Sequence, residues 1–492
     1  MANLNLLTSW NSDWRGLRVG VIGLGVTGFS VADTLAELGA NQLVIAPKAE
    51  ADLVDILDVL EVPYLLGEQA EGVPQALIDL DPELIVTSPG IRPDSPVISW
   101  ATQAGIPIWV DIDLAWRLRD KTERVAEWIC ITGTNGKTTT TQLVEAMLIA
   151  DGRRAVACGN IGTPILDVIR DPEGFDAIVV ELSSFQLHYL GQIQPYSSAV
   201  LNLAHDHLDW HGGFEAYRDA KGKVYEQTKI ACVYNVQDQV TEALVENADV
   251  IEGARAIGFT RGIPTRSQIG YVEDILCDRA FLDDRANSAL EIATVQDISA
   301  IGEVTPHLLA NVAAATALAR SIDVSPASIR AAILGFRLDS HRIELVAEAN
   351  GVRWFDDSKA TNPHAAAASL ASFESVIWLV GGLLKGVDLT DLVREFKDRL
   401  KAAVVIGEDR EPVLQALQQA APELHVISIA AESKSQVMPL AVAAAGGIAT
   451  QGDTVLLAPA AASMDQFKDY ADRGDQFAGA VKLWLEGRDP NV

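Results

Sequence analysis

A chain of 492 residues with a formal charge of −29, 49% hydrophobic and 21% charged residues, is too long for one ordinary core. Its acidity disfavours nucleic acids and anionic membranes as partners. About two to four globular domains are expected, and any anionic ligand must be met by local, well-aimed positive groups. Cysteines 130, 158, 232 and 277 lie far apart in mostly apolar runs, form no metal-spaced pair and suit a reducing compartment. The amino terminus MANLNLLTSWNSDW has no basic-then-apolar leader, and MPLAVAAAGGIA falls short of a membrane span, so a cytoplasmic protein is expected.

In chain order, LRVGVI, NQLVIAP, ELIVTSPGI and IPIWVD read as short buried strands separated by helical patterns such as SVADTLAELG, an α/β domain over residues 1–118. Its first turn, GLGVTG, matches the dinucleotide pattern G-x-G-x-x-G and raises a NAD-dependent dehydrogenase. The ribose-binding acid expected about 20 residues on is missing, because the second strand ends in Ala46, Pro47 and Lys48.

The strand WICI then enters TGTNGKT and a helix with a predicted apolar face of Leu143, Ala146, Met147 and Ala150. This opens a second domain over 119–337. Gly133, Thr134, Asn135, Gly136, Lys137, Thr138 and Thr139 would form a phosphate cradle: backbone N–H groups and a helix N-terminus face the anion, Lys137 adds a charge, and Thr138 offers a hydroxyl to Mg²⁺. Ile131 stands where the generic P-loop has its first glycine, so the turn is a tighter variant. In DAIVVELSSFQL, Glu181 at the strand end is read as a metal-holding acid, with a helix cap as the alternative. NLAHDHLDWH gathers His205, His207 and His211; zinc is tempting, but oxygen-ligated Mg²⁺ suits a phosphate enzyme better, and His207 is the candidate ligand. In FEAYRDAKGKVYEQT, Phe214, Tyr217, Val224 and Tyr225 share a helical face with Lys221, which either snorkels to water or is buried for chemistry.

A third α/β domain over 338–492 resumes with VRWFDDS, SVIWLVGG, AAVVIG and DTVLLAPA. FDDSKATNP passes from strand to helix with Asn362 as the predicted cap and Pro363 at the first helical position. SMDQ at Ser463 reads as a capping box.

TGTNGKT, GNIG at 159–162, ELSSFQL, DHLD, AYRDAK, the His307/Asn311 pair, HRIE, DDSKATNP and SMDQFKDYADRGDQF occur in this order, which resembles the Mur ligases of peptidoglycan synthesis over nearly the whole chain. The last two blocks look like the branch that adds D-glutamate. The resemblance implies three domains: a Rossmann-like amino-terminal one, a P-loop ATPase-like central one and a Rossmann-like carboxy-terminal one. It implies UDP-N-acetylmuramoyl-L-alanine, D-glutamate and ATP as substrates, two Mg²⁺ ions and an acyl-phosphate intermediate. Lys221 would be the lysine that CO₂ carbamylates. An amine with an ordinary pKa of about 10.4 must lose its proton for that step, and burial favours its neutral form. The carbamate and His207 would hold one Mg²⁺, Thr138 and Glu181 the other.

By the same resemblance Val26, Thr27, Ser88, Gly90, Ile91, Asn160, Gln186 and His207 receive the UDP-linked substrate. Asn311, Arg342, Asp357 and Lys359 serve ATP, and Thr361, Lys385, Ser463 and Tyr470 serve D-glutamate. Leu308 replaces the asparagine relatives carry after the histidine, which leaves Asn311 as the adenine-side contact. A monomer is expected. Folylpolyglutamate synthase is the enzyme rival, and an ATP-switched binding protein would keep Lys137, Thr138 and Glu181 but have no use for Lys221.

Overall fold

The computed structural model describes residues 4–338, 340–384 and 386–487. The chain forms two compact units, one from the chain up to Ile298 with Ala310–Phe336, the other from Ser299–Leu309 with the chain from Arg337 onward.

The first unit holds two sheets. The strands β1 (Arg18–Leu24), β2 (Asn41–Ala49), β3 (Tyr64–Leu66), β4 (Leu84–Thr87) and β5 (Ile108–Trp109) lie in the order β3-β2-β1-β4-β5, all parallel. Strand order reverses between β1 and β4, which is where open α/β sheets bind ligands. The GLGVTG turn and Ser88 meet there, with Ser88 N donating to Ile22 O at 2.8 Å. A Cβ on Gly28 would stand 2.1 Å from the Gly23 carbonyl, so only glycine lets the helix Val26–Glu37 approach the turn this closely.

The second sheet comprises β6 (Glu127–Thr132), β7 (Ala155–Gly159), β8 (Ala177–Glu181), β9 (Ser197–Val200), β10 (Ala231–Asn235), β11 (Arg255–Phe259), β12 (Gln268–Val272), β13 (Ile275–Asp278) and β14 (Leu290–Thr294). Its order is β14-β13-β12-β11-β10-β9-β6-β8-β7, parallel except for the antiparallel β12–β13–β14 edge. One apolar core runs from Val19 and Val21 of the first sheet to Trp128 and Cys130 of the second. Ser30 Oγ also donates to Asp167 Oδ1 at 2.7 Å, and Arg170 pairs with Asp33 at 2.6 Å. The helix Lys137–Ala150 buries Leu143, Val144, Met147 and Leu148, whereas the predicted Ala146 is half-buried and Ala150 exposed. It packs on β8 and on the helix Pro326–Gly335, and this two-sided contact turns the buried stripe away from the predicted line.

The second unit contains β15 (Glu344–Ala349), β16 (Val352–Asp356), β17 (Val376–Gly381), β18 (Leu400–Ile406), β19 (His425–Ser428) and β20 (Thr454–Leu457) in the order β15-β16-β20-β17-β18-β19. Only the β15–β16 hairpin is antiparallel. Asn362 caps the helix Pro363–Ala371 through Ala365 N at 2.9 Å, as its sequence predicts. Ser463 does not begin a helix. It closes a turn through its carbonyl, and Gln466, which would complete the capping box, instead accepts from Gly407 N at 2.8 Å. The helix starts at Tyr470, where Asp469 accepts from Asp472 N at 2.8 Å.

All four cysteines are buried and free. Among the described residues no helix is long and apolar enough to cross a membrane.

Candidate active site

The turn between β6 and the helix Lys137–Ala150 is held by backbone geometry that glycine alone adopts readily. Gly133 has φ 157° and Gly136 φ 82°. A Cβ on Gly136 would lie 2.3 Å from Asn311 Oδ1, so Asn311 rests against the turn from the helix Pro306–Ser321. Asn202, which the motif search did not single out, fixes the loop from β9: its Oδ1 accepts from Asn135 N at 2.9 Å, its Nδ2 donates to Asn135 O at 3.0 Å, and its carbonyl accepts from Thr134 N at 2.9 Å. Only its place after a strand beside the histidine-rich segment could have signalled it. Lys137 Nζ donates to Gly133 O at 3.0 Å and Thr134 O at 2.9 Å, and Thr138 and Thr139 are buried.

Lys221 lies on the helix Phe214–Gly222, after which the chain makes one 3₁₀ turn, Lys223–Tyr225, and leaves helical structure. The snorkelling alternative fails: Lys221 is 2% exposed, and its Nζ donates to Gly133 O at 2.8 Å and to Thr132 Oγ1 at 3.2 Å. Burial first, and the Lys137 charge second, push its amine well below the usual lysine range against the pull of Asp206 and Glu181. The Tyr217 ring lies 5.0 Å from the same nitrogen, and its hydroxyl meets Thr134 Oγ1 at 2.8 Å. The 133–138 turn and the lysine helix are thus tied together twice.

Glu181, 2% exposed, ends β8. The cap of the helix Ser184–Tyr189 is Ser183, whose Oγ accepts from Gln186 N at 3.1 Å while Gln186 Oε1 accepts from Ser183 N at 3.0 Å. Glu181 therefore has no capping duty. Its Oε1 accepts from Asn160 Nδ2 at 2.8 Å, and among the described residues its buried Oε2 has no hydrogen-bond partner. A buried, half-satisfied carboxylate beside Lys221 and a threonine-bearing, glycine-rich turn fits a divalent cation.

The three histidines of 205–211 do not converge. His207, at φ 52°, sets its ring 4.7 Å from Phe185 and its Nε2 3.6 Å from Asp206 Oδ2. His205 packs on Phe214. His211 sits among Phe185, Trp210 and Tyr217, and burial pushes its pKa down to about 4. Zinc-type clustering is absent at these histidines among the described residues.

Of the residues expected to meet UDP, Val26 is 68% exposed at the start of its helix, with Thr27 half-buried beside it. Ser88 packs its hydroxyl on Gly23, Gly90 is exposed, and Ile91 O accepts from Tyr189 OH at 2.8 Å. Asn160 and Gln186 have protein partners. Gln186, 2% exposed, donates from Nε2 to Asp111 Oδ1 at 3.5 Å, and burial pushes that aspartate up to about 6. Asp111 was invisible to motif reasoning because its partner lies 75 residues away.

In the second unit, Asp357 is buried, receives the Ser369 hydroxyl and is pushed up to about 6 by burial, opposed by the nearby Arg342 charge. Lys359 Nζ stands 5.0 Å from the Tyr470 ring, and Thr361 N donates to Lys359 O at 2.9 Å. Ser463 is 4% exposed. Arg473, another residue the sequence did not single out, is wholly buried: Nε donates to Ser358 Oγ, Nη2 to Ser358 O and Nη1 to Ala461 O at 2.9, 2.7 and 3.1 Å. Ser358 Oγ in turn donates to Tyr470 O at 2.7 Å. His307 is exposed in the first turn of its helix. Lys385 lies outside the described residues.

Three family models match the chain in succession: the Mur ligase MurD-like N-terminal domain over 17–110, the Mur ligase middle domain over 131–319, and the Mur ligase glutamate ligase domain over 341–461. A UDP-N-acetylmuramoylalanine–D-glutamate ligase from Leifsonia xyli subsp. xyli is 55% identical over 98% of this chain and 96% of its own. This chain belongs to the Mur ligase family. A second relative of the same name, from Streptomyces avermitilis, is 47% identical over 96% of this chain and 99% of its own. The Mur ligase fold also appears in UDP-N-acetylmuramate-alanine ligase MurC from Thermotoga maritima (TM-score 0.54, 17% identity, 96% and 100% coverage). MurF from Acinetobacter baumannii shares it too (TM-score 0.56, 14% identity, 94% and 93% coverage).

Proposed function

We propose that this Mur ligase joins D-glutamate to UDP-N-acetylmuramoyl-L-alanine at the expense of ATP, releasing ADP and phosphate, in cytoplasmic peptidoglycan precursor synthesis. The choice of substrates is supported by end-to-end similarity to ligases of that name. The chemistry is supported by one observation above the others: a buried lysine, Lys221, bonded to the carbonyl of a phosphate-binding loop. A permanent cation there would serve no packing purpose. A neutral amine can be carbamylated, giving an anionic oxygen ligand in the place of a positive charge.

Residues 1–118 would bind the UDP substrate, 119–337 ATP, and 338–492 the amino acid. Gly133 to Thr139 cradle the phosphates, with Lys137 opposing the charge that builds up as the substrate carboxylate attacks the γ-phosphorus. Thr138 and Glu181, and His207 with the Lys221 carbamate, would hold two Mg²⁺ ions, which when bound supply positive charge to the phosphates. The D-glutamate amine then attacks the acyl phosphate carbon, phosphate leaves, and the amine loses a proton. Ser183 is engaged in capping, so no serine nucleophile is assigned. Arg342, Asp357, Lys359 and Asn311 are assigned to ATP, and Thr361, Lys385, Ser463 and Tyr470 to D-glutamate. We assign a monomer.

The test is phosphate release and product analysis with a panel of L- and D-amino acids. Turnover should require UDP-N-acetylmuramoyl-L-alanine and D-glutamate together. Turnover on a folate substrate, or on another amino acid in preference to D-glutamate, would reject the assignment.

A further inference from the structure

The segment that carries Arg342 is held in an unusual backbone. His341 has φ 68° and Ile343 φ 46°, so left-handed residues flank the arginine on both sides, and neither is glycine. Such a conformation persists only where the surroundings over-determine it. Here they do. The His341 ring meets Asp356 Oδ2 through Nδ1 at 2.7 Å, its backbone N donates to Glu344 Oε2 at 2.8 Å, and its carbonyl accepts from Lys359 N at 3.2 Å. Asp356, 1% exposed, accepts from Ser358 N through its other oxygen at 2.8 Å.

We propose that His341 and Asp356 form a positioning pair that fixes Arg342, Asp357 and Lys359 relative to one another. Asp356 immediately precedes Asp357, and His341 precedes Arg342 and holds the Lys359 amide, so one 2.7 Å contact sets the spacing of all three. Arg342 itself lines a cavity of about 430 Å³ with Ser340, Glu344 and Arg353. His341, Glu344 and Asp356 place one ligand atom each within 4.8 Å of the others, a spacing that would suit a cation. The His341 and Glu344 atoms are already used on Asp356 and on backbone, which favours a brace over a metal site.

A third element confirms how little room the pair has. A Cβ on Gly474, in the helix Tyr470–Leu485, would stand 2.1 Å from His341 Nδ1 and 2.6 Å from Asp356 Oδ2. Gly474→Ala therefore pushes directly on the contact, although alanine is the better helix former.

The inference rests on the assignment of Arg342, Asp357 and Lys359 to ATP, and the experiment separates the two. Steady-state KM values for ATP and for the UDP substrate are measured for Gly474→Ala, Asp356→Leu, Asp356→Asn and Arg342→Ala, with circular dichroism to confirm folding. Gly474→Ala and Asp356→Leu should raise the KM for ATP about tenfold, as expected for misplaced contact groups, and leave that for the UDP substrate within about twofold. Asp356→Asn, which keeps an acceptor for Ser358 N and a partner for the ring, should recover most of the loss. Adding Gly474→Ala to Arg342→Ala should cost less than the product of the two separate effects, because only Asp357 and Lys359 then remain to be misplaced. Should Asp356→Leu not fold, Gly474→Ala decides. Impaired Arg342→Ala beside a folded Gly474→Ala with wild-type KM for ATP overturns the inference alone. Arg342→Ala with wild-type KM for ATP overturns the assignment beneath it, and the inference with it.

Discussion

The turn at 133–138 and the turn at 356–361 are both strand-to-helix passages that deliver a lysine, yet they are built in opposite ways. The first carries a local signature, two glycines at positive φ, a helix N-terminus and a lysine bonded to carbonyls three and four residues back, to which Asn202 and Lys221 add bonds from afar. The second is held from a distance. His341 reaches Asp356 across 15 residues, and Arg473 reaches Ser358 across 115. A self-shaped loop can be recognised from a short motif, whereas a braced loop depends on partners that no local pattern reveals.

The largest effect should come from the self-shaped loop. Lys137→Ala is expected to lower kcat about a thousandfold, since it removes charge compensation in the transition state, and a pre-steady-state phosphate-release assay would detect it. A near-normal rate would mean the loop serves another purpose. Lys221→Ala should lose about a hundredfold or more and partly recover when a short carboxylic acid is added to occupy the vacated space. Full activity in that variant without the acid would remove the chemical reason for burying the lysine.

In the braced loop, losing the Arg473 anchor should show in stability. Arg473→Ala leaves the Ser358 and Ala461 carbonyls without this donor in a buried place and is expected to cost about 3 kcal/mol, read as a drop in denaturant midpoint. If the midpoint stays within error, long-range bracing is not what holds that turn.

A smaller effect concerns pH. The Asp111 carboxyl is raised to about 6 by burial, above its unfolded value near 3.9. The folded state therefore binds the proton more tightly, and this group's contribution to stability is present at low pH and is lost as pH rises through about 6. Asp111→Asn should flatten the stability profile between about pH 4 and pH 6 by on the order of 1–3 kcal/mol. Calorimetry over that range checks it, and Asp113, pushed up to about 6 in the helix Asp111–Leu118 that both share, supplies a parallel variant.

What could be read beforehand follows the same division. The alternating strands, the Gly-Lys-Thr turn and the place of Lys221 on the apolar face of its helix were legible because each depends on spacing within a few residues. The absence of a ribose-binding acid after Ala46 was legible for the same reason. The face of the helix Lys137–Ala150 was misjudged, because two partners cover it rather than one. The capping box at Ser463 was misjudged because Gln466 is drawn to the Gly407 amide instead. Asn202 offered only its place after a strand, and Asp111 and Arg473 no local pattern, since each owes its role to a partner distant in the chain.

By itself the amino-acid sequence determined the order of strands and helices, the glycine-rich turn at 133–138 and the family, since periodicity, glycine placement and motif order are properties of neighbouring residues. Tertiary structure alone decided that Lys221 is buried with its amine pushed well below the usual lysine range, that one Glu181 carboxylate oxygen has no hydrogen-bond partner among the described residues, and that His341 and Asp356 meet. Desolvation and hydrogen bonding depend on what surrounds an atom in space, and packing brings those surroundings from remote parts of the chain.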